Sequence, residues 1–181
     1  MSDTQDASQL RVMVVDDHPM WRDGVARDLS DAGFEIVATA DSSGAAGRRA
    51  GAVRPDVVLM DMQLPDGNGA EATAAVLEVS PKTRVLVLSA SDERDDVLDA
   101  VKAGASGYLV KSASKEELID AVRATAAGQA VFTPGLAGLV LGEFRRMSSE
   151  PDRAPQTPVL TERETEVLRY VAKGMSAKQI A

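Results

Sequence analysis

Five polar side chains stand directly after four short apolar runs. Asp16 and Asp17 close RVMVV, Asp61 closes VVLM, Ser89 closes RVLVL and Lys111 closes GYLV. Three carboxylates gathered in one place raise one another's pKa and are unfavourable alone. A hard divalent cation resolves this, because Mg2+ takes one or two carboxylates together with waters and a phosphate. With Lys111 it would offset the three negative charges and leave a site able to accept a phosphoryl group. One carboxylate could then attack phosphorus and form an acyl phosphate. The cation and the lysine would stabilise charge on the equatorial oxygens, and the Ser89 hydroxyl could hydrogen-bond one of them.

Singly, each residue has an ordinary explanation. An Asp pair after an apolar run serves most often to start a helix, and a lone serine or lysine carries little information. His18 reads as a helix starter ahead of Pro19, and Trp21 as part of an apolar helical stripe. Together, all of the elements occur in order at separate strand ends, which chance does not readily supply. One decoy is set aside. Gly67-Asn-Gly69-Ala-Glu-Ala72 has the glycine spacing of a dinucleotide fingerprint, but five residues separate Asp61 from Gly67, whereas that motif needs its first glycine directly after the strand. These glycines are expected to let a loop turn beside Asp61.

The chain must bring these residues together. The apolar runs at 11–15, 34–38, 57–60, 84–88 and 107–110 are apolar on both alternations, as in strands buried on both faces. Between them lie alanine-rich stretches of helical length at 19–32, 42–53, 67–79, 92–103 and 115–127, several stopped by glycine or followed by proline. Five alternations of strand and helix predict an α/β fold with a five-stranded parallel sheet and five flanking helices. In the order 2-1-3-4-5 the strands that carry Asp16, Asp61, Ser89 and Lys111 are neighbours, and ligands sit beyond the carboxyl ends of such strands.

Composition narrows the class further. The 181 residues include no cysteine and one histidine, which excludes a disulfide framework and a His-rich metal site. There are 20 Lys+Arg against 28 Asp+Glu, a net charge of −8. The acid excess lies in the first 150 residues, so any nucleic-acid contact is expected from the C-terminal end. The acidic, polar N-terminus and the lack of an apolar run of membrane-spanning length predict a cytoplasmic protein without a membrane segment. After Gly128 the rhythm breaks: PGLAGLVLGEFRRM offers one more helix over 134–147, and SSEPDRAPQTP has linker composition. Thr161-Glu-Arg-Glu164 then has capping-box spacing before Val167, Leu168 and Val171, with Gly174 as a stop, and Ser176-Ala-Lys-Gln179 repeats that spacing.

The set VVDDHP, VLMDMQLPDGNG, VLVLSA and GYLVK closely resembles the receiver domain of bacterial response regulators. The tail LTERETEVLRYVAKGMSAKQIA is similar to the first half of a LuxR-type helix-turn-helix. Together they resemble the NarL/FixJ family of two-component transcription regulators. The resemblance implies a flavodoxin-like receiver over 10–128, a linker over 129–160 and a fragment of an all-α LuxR-type domain over 161–181. It implies Asp61 as phosphoacceptor, Mg2+ held by Asp16, Asp17, Asp61 and the Gln63 carbonyl, and phosphoryl binding by Ser89, Ala90 and Lys111. Ser89 and Tyr108 would form a switch in which the tyrosine turns inward on phosphorylation. It implies a sensor histidine kinase as phosphodonor, dimerisation on phosphorylation, and DNA binding through a full-length C-terminal domain. The fragment lacks the recognition helix and is not expected to bind DNA itself. The dimer would use either the first and fifth helices or the face of the fourth helix, fifth strand and fifth helix.

Two alternatives have sequence tests. A receiver acting alone, as an interaction or phosphorelay module, differs in the residues beyond Ala181. A Mg2+-dependent phosphohydrolase would show D-x-D-x-[TV] after a strand, which neither Asp16-Asp17-His18 nor Asp61-Met62-Gln63 supplies; the chain therefore reads as a signalling protein rather than an enzyme. Many receivers place proline after the lysine, on a cis bond. Here Ser112 follows, and the Lys111–Ser112 bond is expected to be cis all the same, at about 2.5–4 kcal/mol.

Overall fold

The computed structural model describes residues 9–148. Five strands form a parallel sheet: β1 (Arg11–Val15), β2 (Glu35–Ala40), β3 (Val57–Asp61), β6 (Arg84–Ser89) and β7 (Gly107–Val110). Their spatial order is β2-β1-β3-β6-β7. Leaving aside the two-residue strands β4 (Gln63–Leu64) and β5 (Gly67–Asn68), which make a small hairpin, this is the expected order 2-1-3-4-5. The helices are α1 (Pro19–Asp31), α2 (Ser43–Val53), α3 (Gly69–Val79), α4 (Arg94–Lys102), α5 (Lys115–Ala126) and α6 (Pro134–Ser148).

Alternate strand residues feed two apolar layers, as period-two geometry requires. Met13, Val15, Val58, Met60, Val85, Val87 and Tyr108 pack with α2, α3, α4 and α6. Val12, Val14, Val57, Leu59, Leu86, Leu88 and Leu109 pack with α1 and α5. β3 is central and all five of its residues are buried, which accounts for a sequence without polar alternation.

Local chemistry fixes the loops that matter. Asn68 caps α3 in a reciprocal capping box with Glu71, so the helix starts at Gly69 and not at the expected residue 67. Gly69 has no room for a side chain: a Cβ there would lie 2.3 Å from the Asp61 carbonyl oxygen. The predicted turn beside Asp61 is thus a close backbone approach. Ser114 and Glu117 make a second capping box at α5.

Two expectations need correction. The Lys111–Ser112 bond is trans, as is every peptide bond among the described residues. Lys111 N donates to the Ser89 carbonyl at 2.7 Å and Ala113 N to the Val110 carbonyl at 3.0 Å. The turn is made without the isomer that only proline makes cheap. The linker expected from residue 129 is, as far as Ser148, part of the packed unit. Val131 bridges to Gly107 in parallel, and α6 buries Leu136 and Val140 in the apolar layer shared with α4. The helix expected over 161–173 and the second capping box lie outside the described residues. Among the described residues no helix is long and apolar enough to cross a membrane.

Candidate functional site

Strand ends build the site. Asp16 follows β1 and Asp61 ends β3; β1 and β3 are paired neighbours through Val15 and Met60. Both carboxyl-bearing residues are buried, Asp16 fully and Asp61 at 4% exposure. Lys111, after β7, reaches across to them. Its Nζ lies 2.5 Å from Asp16 Oδ2 and 3.4 Å from Asp61 Oδ2. Asp17 turns its carboxylate to the same place: one ligand atom each from Asp16, Asp17, His18 and Asp61 lie within 4.8 Å of one another. Two oxygens remain without hydrogen bonds although buried, Asp17 Oδ1 and Asp61 Oδ2. Gln63 supplies a backbone N–H to Asp61 Oδ1 at 3.2 Å.

Burial pushes the Asp61 carboxyl above its ordinary value, and the Asp16 charge adds to this. The Gln63 N–H and the Lys111 ammonium pull the other way without cancelling it. A carboxylate so placed is more basic than one in water, which favours its use as a nucleophile.

Ser89 ends β6 buried, and its Oγ accepts from Ser91 N at 3.3 Å. Ala90 is small and exposed beside it. The Tyr108 side chain points inside and is fully buried, with the hydroxyl donating to the Ser91 carbonyl at 2.8 Å. Burial raises its pKa. In this rotamer the Ser91 carbonyl satisfies the hydroxyl within the fold.

Three contributors were not identified as such from sequence. His18 stands at the N-cap position of α1, as a helix starter should, but its side chain makes no cap hydrogen bond and its ring turns back on the acids. Trp21 is half-buried rather than core, with Lys111 Nζ 4.4 Å from its ring centroid. Asp66, in the loop after Asp61, accepts from Ser43 N at 2.7 Å and Gly44 N at 3.0 Å at the start of α2. Those N–H groups, Gly44 first, hold its carboxyl below the ordinary value. Their sequence separations of 22 and 23 residues hide this contact from any local pattern.

Comparison with known proteins decides the family. Residues 12–123 match the response regulator receiver domain, and 158–181 match the luxR family of bacterial regulatory proteins. The chain belongs to the response regulators. A probable transcriptional regulatory protein NarL of Mycobacterium tuberculosis is 42% identical over 174 residues, covering 96% of this chain and 78% of that protein. Response regulator protein VraR of Staphylococcus aureus is 37% identical over 173 residues, covering 95% and 80%. A crystal structure of a LuxR-family two-component response regulator from Aurantimonas superposes with a TM-score of 0.69 at 36% identity, covering 76% of this chain and 99% of that one. The response regulator therefore joins a receiver to a LuxR-type region and serves two-component transcription regulation.

Proposed function

We propose that Asp61 is the phosphoacceptor of this response regulator and that a phosphohistidine on a sensor kinase is its donor. The supporting observation is a buried carboxylate oxygen, Asp61 Oδ2, which has no hydrogen bond yet lies 3.4 Å from an ammonium. In the transfer, Asp61 Oδ2 forms the new P–O bond, the N–P bond of the donor breaks, and the donor imidazole leaves with its electron pair. Lys111 is poised to exchange Asp16 for a phosphoryl oxygen. Exposed Ala90 leaves the approach open, and the Ser89 hydroxyl is available to donate to a second oxygen.

The donor set suits Mg2+: oxygen-rich, anionic, and with two buried oxygens unsatisfied. Asp16, Asp17, Asp61 and the Gln63 carbonyl are the groups that would hold it, and it would neutralise charge on the phosphoryl oxygens. Ser89 and Tyr108 then act as the readout. Phosphorylation raises the share of the state in which Tyr108 lies inward. Dimerisation through α1 and α5 fits best, since α6 lies against α4 and ties to it through Arg94–Glu143 at 3.0 Å. The dimer would present DNA-binding domains to paired half-sites.

The test is incubation with a small-molecule phosphodonor and Mg2+, read by intact mass. One phosphoryl group should add to the wild type and none to Asp61→Asn. Equal uptake by both would overturn the assignment.

A further inference from the structure

The acid cluster includes a nitrogen donor that a hard cation does not require. His18 Nδ1 lies 2.9 Å from Asp17 Oδ1 and 3.2 Å from Asp16 Oδ1. The ring is held there by backbone, not chance. His18 N donates to Asp16 Oδ1 at 2.8 Å, and the residue caps α1 directly before Pro19. Its side chain is 69% exposed, so it stands on the solvent side of buried Asp16 and half-buried Asp17.

Geometry allows one ion to be shared. Bonds of about 2.0–2.2 Å put opposite ligands at most about 4.4 Å apart. The four candidate atoms lie within 4.8 Å of one another, so a contraction of about 0.4 Å brings them to that span. Asp61 Oδ2 is nine-tenths buried and has no hydrogen bond, its ion pair with Lys111 at 3.4 Å aside.

We propose that His18 makes this a mixed nitrogen–oxygen centre whose ligand set depends on the ion. Mg2+ uses the carboxylates and leaves the imidazole aside. A borderline ion such as Zn2+ or Co2+ recruits Nδ1 as well, because imidazole suits transition metals while carboxylate and water suit Mg2+. His18 then determines which divalent cations compete for the site. This rests on reading the Asp61 cluster as a cation site.

The chain's 181 residues contain one histidine, so its imidazole nitrogens give unambiguous signals in a 15N-labelled sample. Zn2+ should shift the Nδ1 resonance strongly and Nε2 little, while Mg2+ should move neither. By calorimetry, His18→Leu should weaken Zn2+ and Co2+ at least tenfold and Mg2+ less than twofold. His18→Asn, which puts a good capping residue at the N-cap position, serves if the leucine variant does not fold. An unmoved Nδ1 signal with Zn2+ bound, or equal losses for Zn2+ and Mg2+, would overturn the proposal. Phosphoryl uptake by the wild type in Mg2+ is read separately. Its failure would strike the phosphoacceptor assignment and leave the imidazole result standing.

Discussion

The two apolar layers of the sheet differ in kind. The one under α2, α3, α4 and α6 contains eight buried alanines, Ala40, Ala45, Ala46, Ala50, Ala70, Ala72, Ala100 and Ala105. The one under α1 and α5 contains one, Ala121, and is built from Val25, Leu29, Phe34, Leu118 and Val122 against strand leucines and valines. Large interlocking side chains resist displacement, because any shift opens voids. Small ones make a shallow contact that can slide. Tyr108, the one group here with a proposed swing, faces the alanine-rich layer. One half of the molecule holds the fold, and the other is built to yield.

The largest test of this contrast is Leu29→Ala, which should cost about 2–5 kcal/mol in urea unfolding, as for other fully buried leucines. Val97→Ala, equally buried in the opposite layer, should cost clearly less; equal losses would break the contrast.

Next, Tyr108→Phe removes the hydroxyl that donates to Ser91 but keeps the ring. It should lower stability by about 1 kcal/mol. Faster hydrogen exchange should be confined to residues 89–93, and phosphoryl uptake should be unchanged. Exchange that quickens throughout the leucine-rich layer would show the two halves to be coupled.

Asp61→Asn acts where both layers meet and should be stabilising. A carboxyl held above its ordinary value of 3.8 contributes its full stability only below that value and loses it as pH rises through the folded one. At pH 7 the asparagine variant should therefore melt higher than the wild type. The gain should vanish on acidification below pH 4 and shrink in millimolar Mg2+. A gain independent of pH would remove charge as its cause.

The smallest effect is expected from Glu143→Gln, which breaks the partly exposed pair with Arg94. The change should stay under about 1 kcal/mol, with local exchange at α6 as the sensitive readout.

Much of this was legible in the chain because the forces involved are short in sequence. Runs such as VVLM declare buried strands by their lack of polar alternation, and the strand ends name Asp16, Asp61, Ser89 and Lys111. What escaped depends on partners distant in sequence or on backbone detail. Nothing near Trp21 announces that Lys111 will lie over its ring. The helix over 134–147 was legible, but its packing was not: it was placed within a linker, although Leu136 and Val140 have the four-residue spacing of a buried stripe. The reciprocal cap of Asn68 and Glu71 was visible in principle, but the glycine pair beside it drew the helix start two residues too early.

The Val131 bridge has a consequence for life at high concentration. An open sheet offers two free edges, each a template for a strand from another chain. On the β7 side, Val131 takes the pairing positions at Gly107 and Tyr108, and it lies so close that a Cβ on Gly107 would come within 2.8 Å of it. On the β2 side, the Arg49 guanidinium donates to the Thr39 carbonyl, and Glu35 at the strand's start is exposed and charged. Both borders of the sheet are thus dressed by the chain itself. Strand addition by another copy, which would not readily reverse, is thereby disfavoured at both edges.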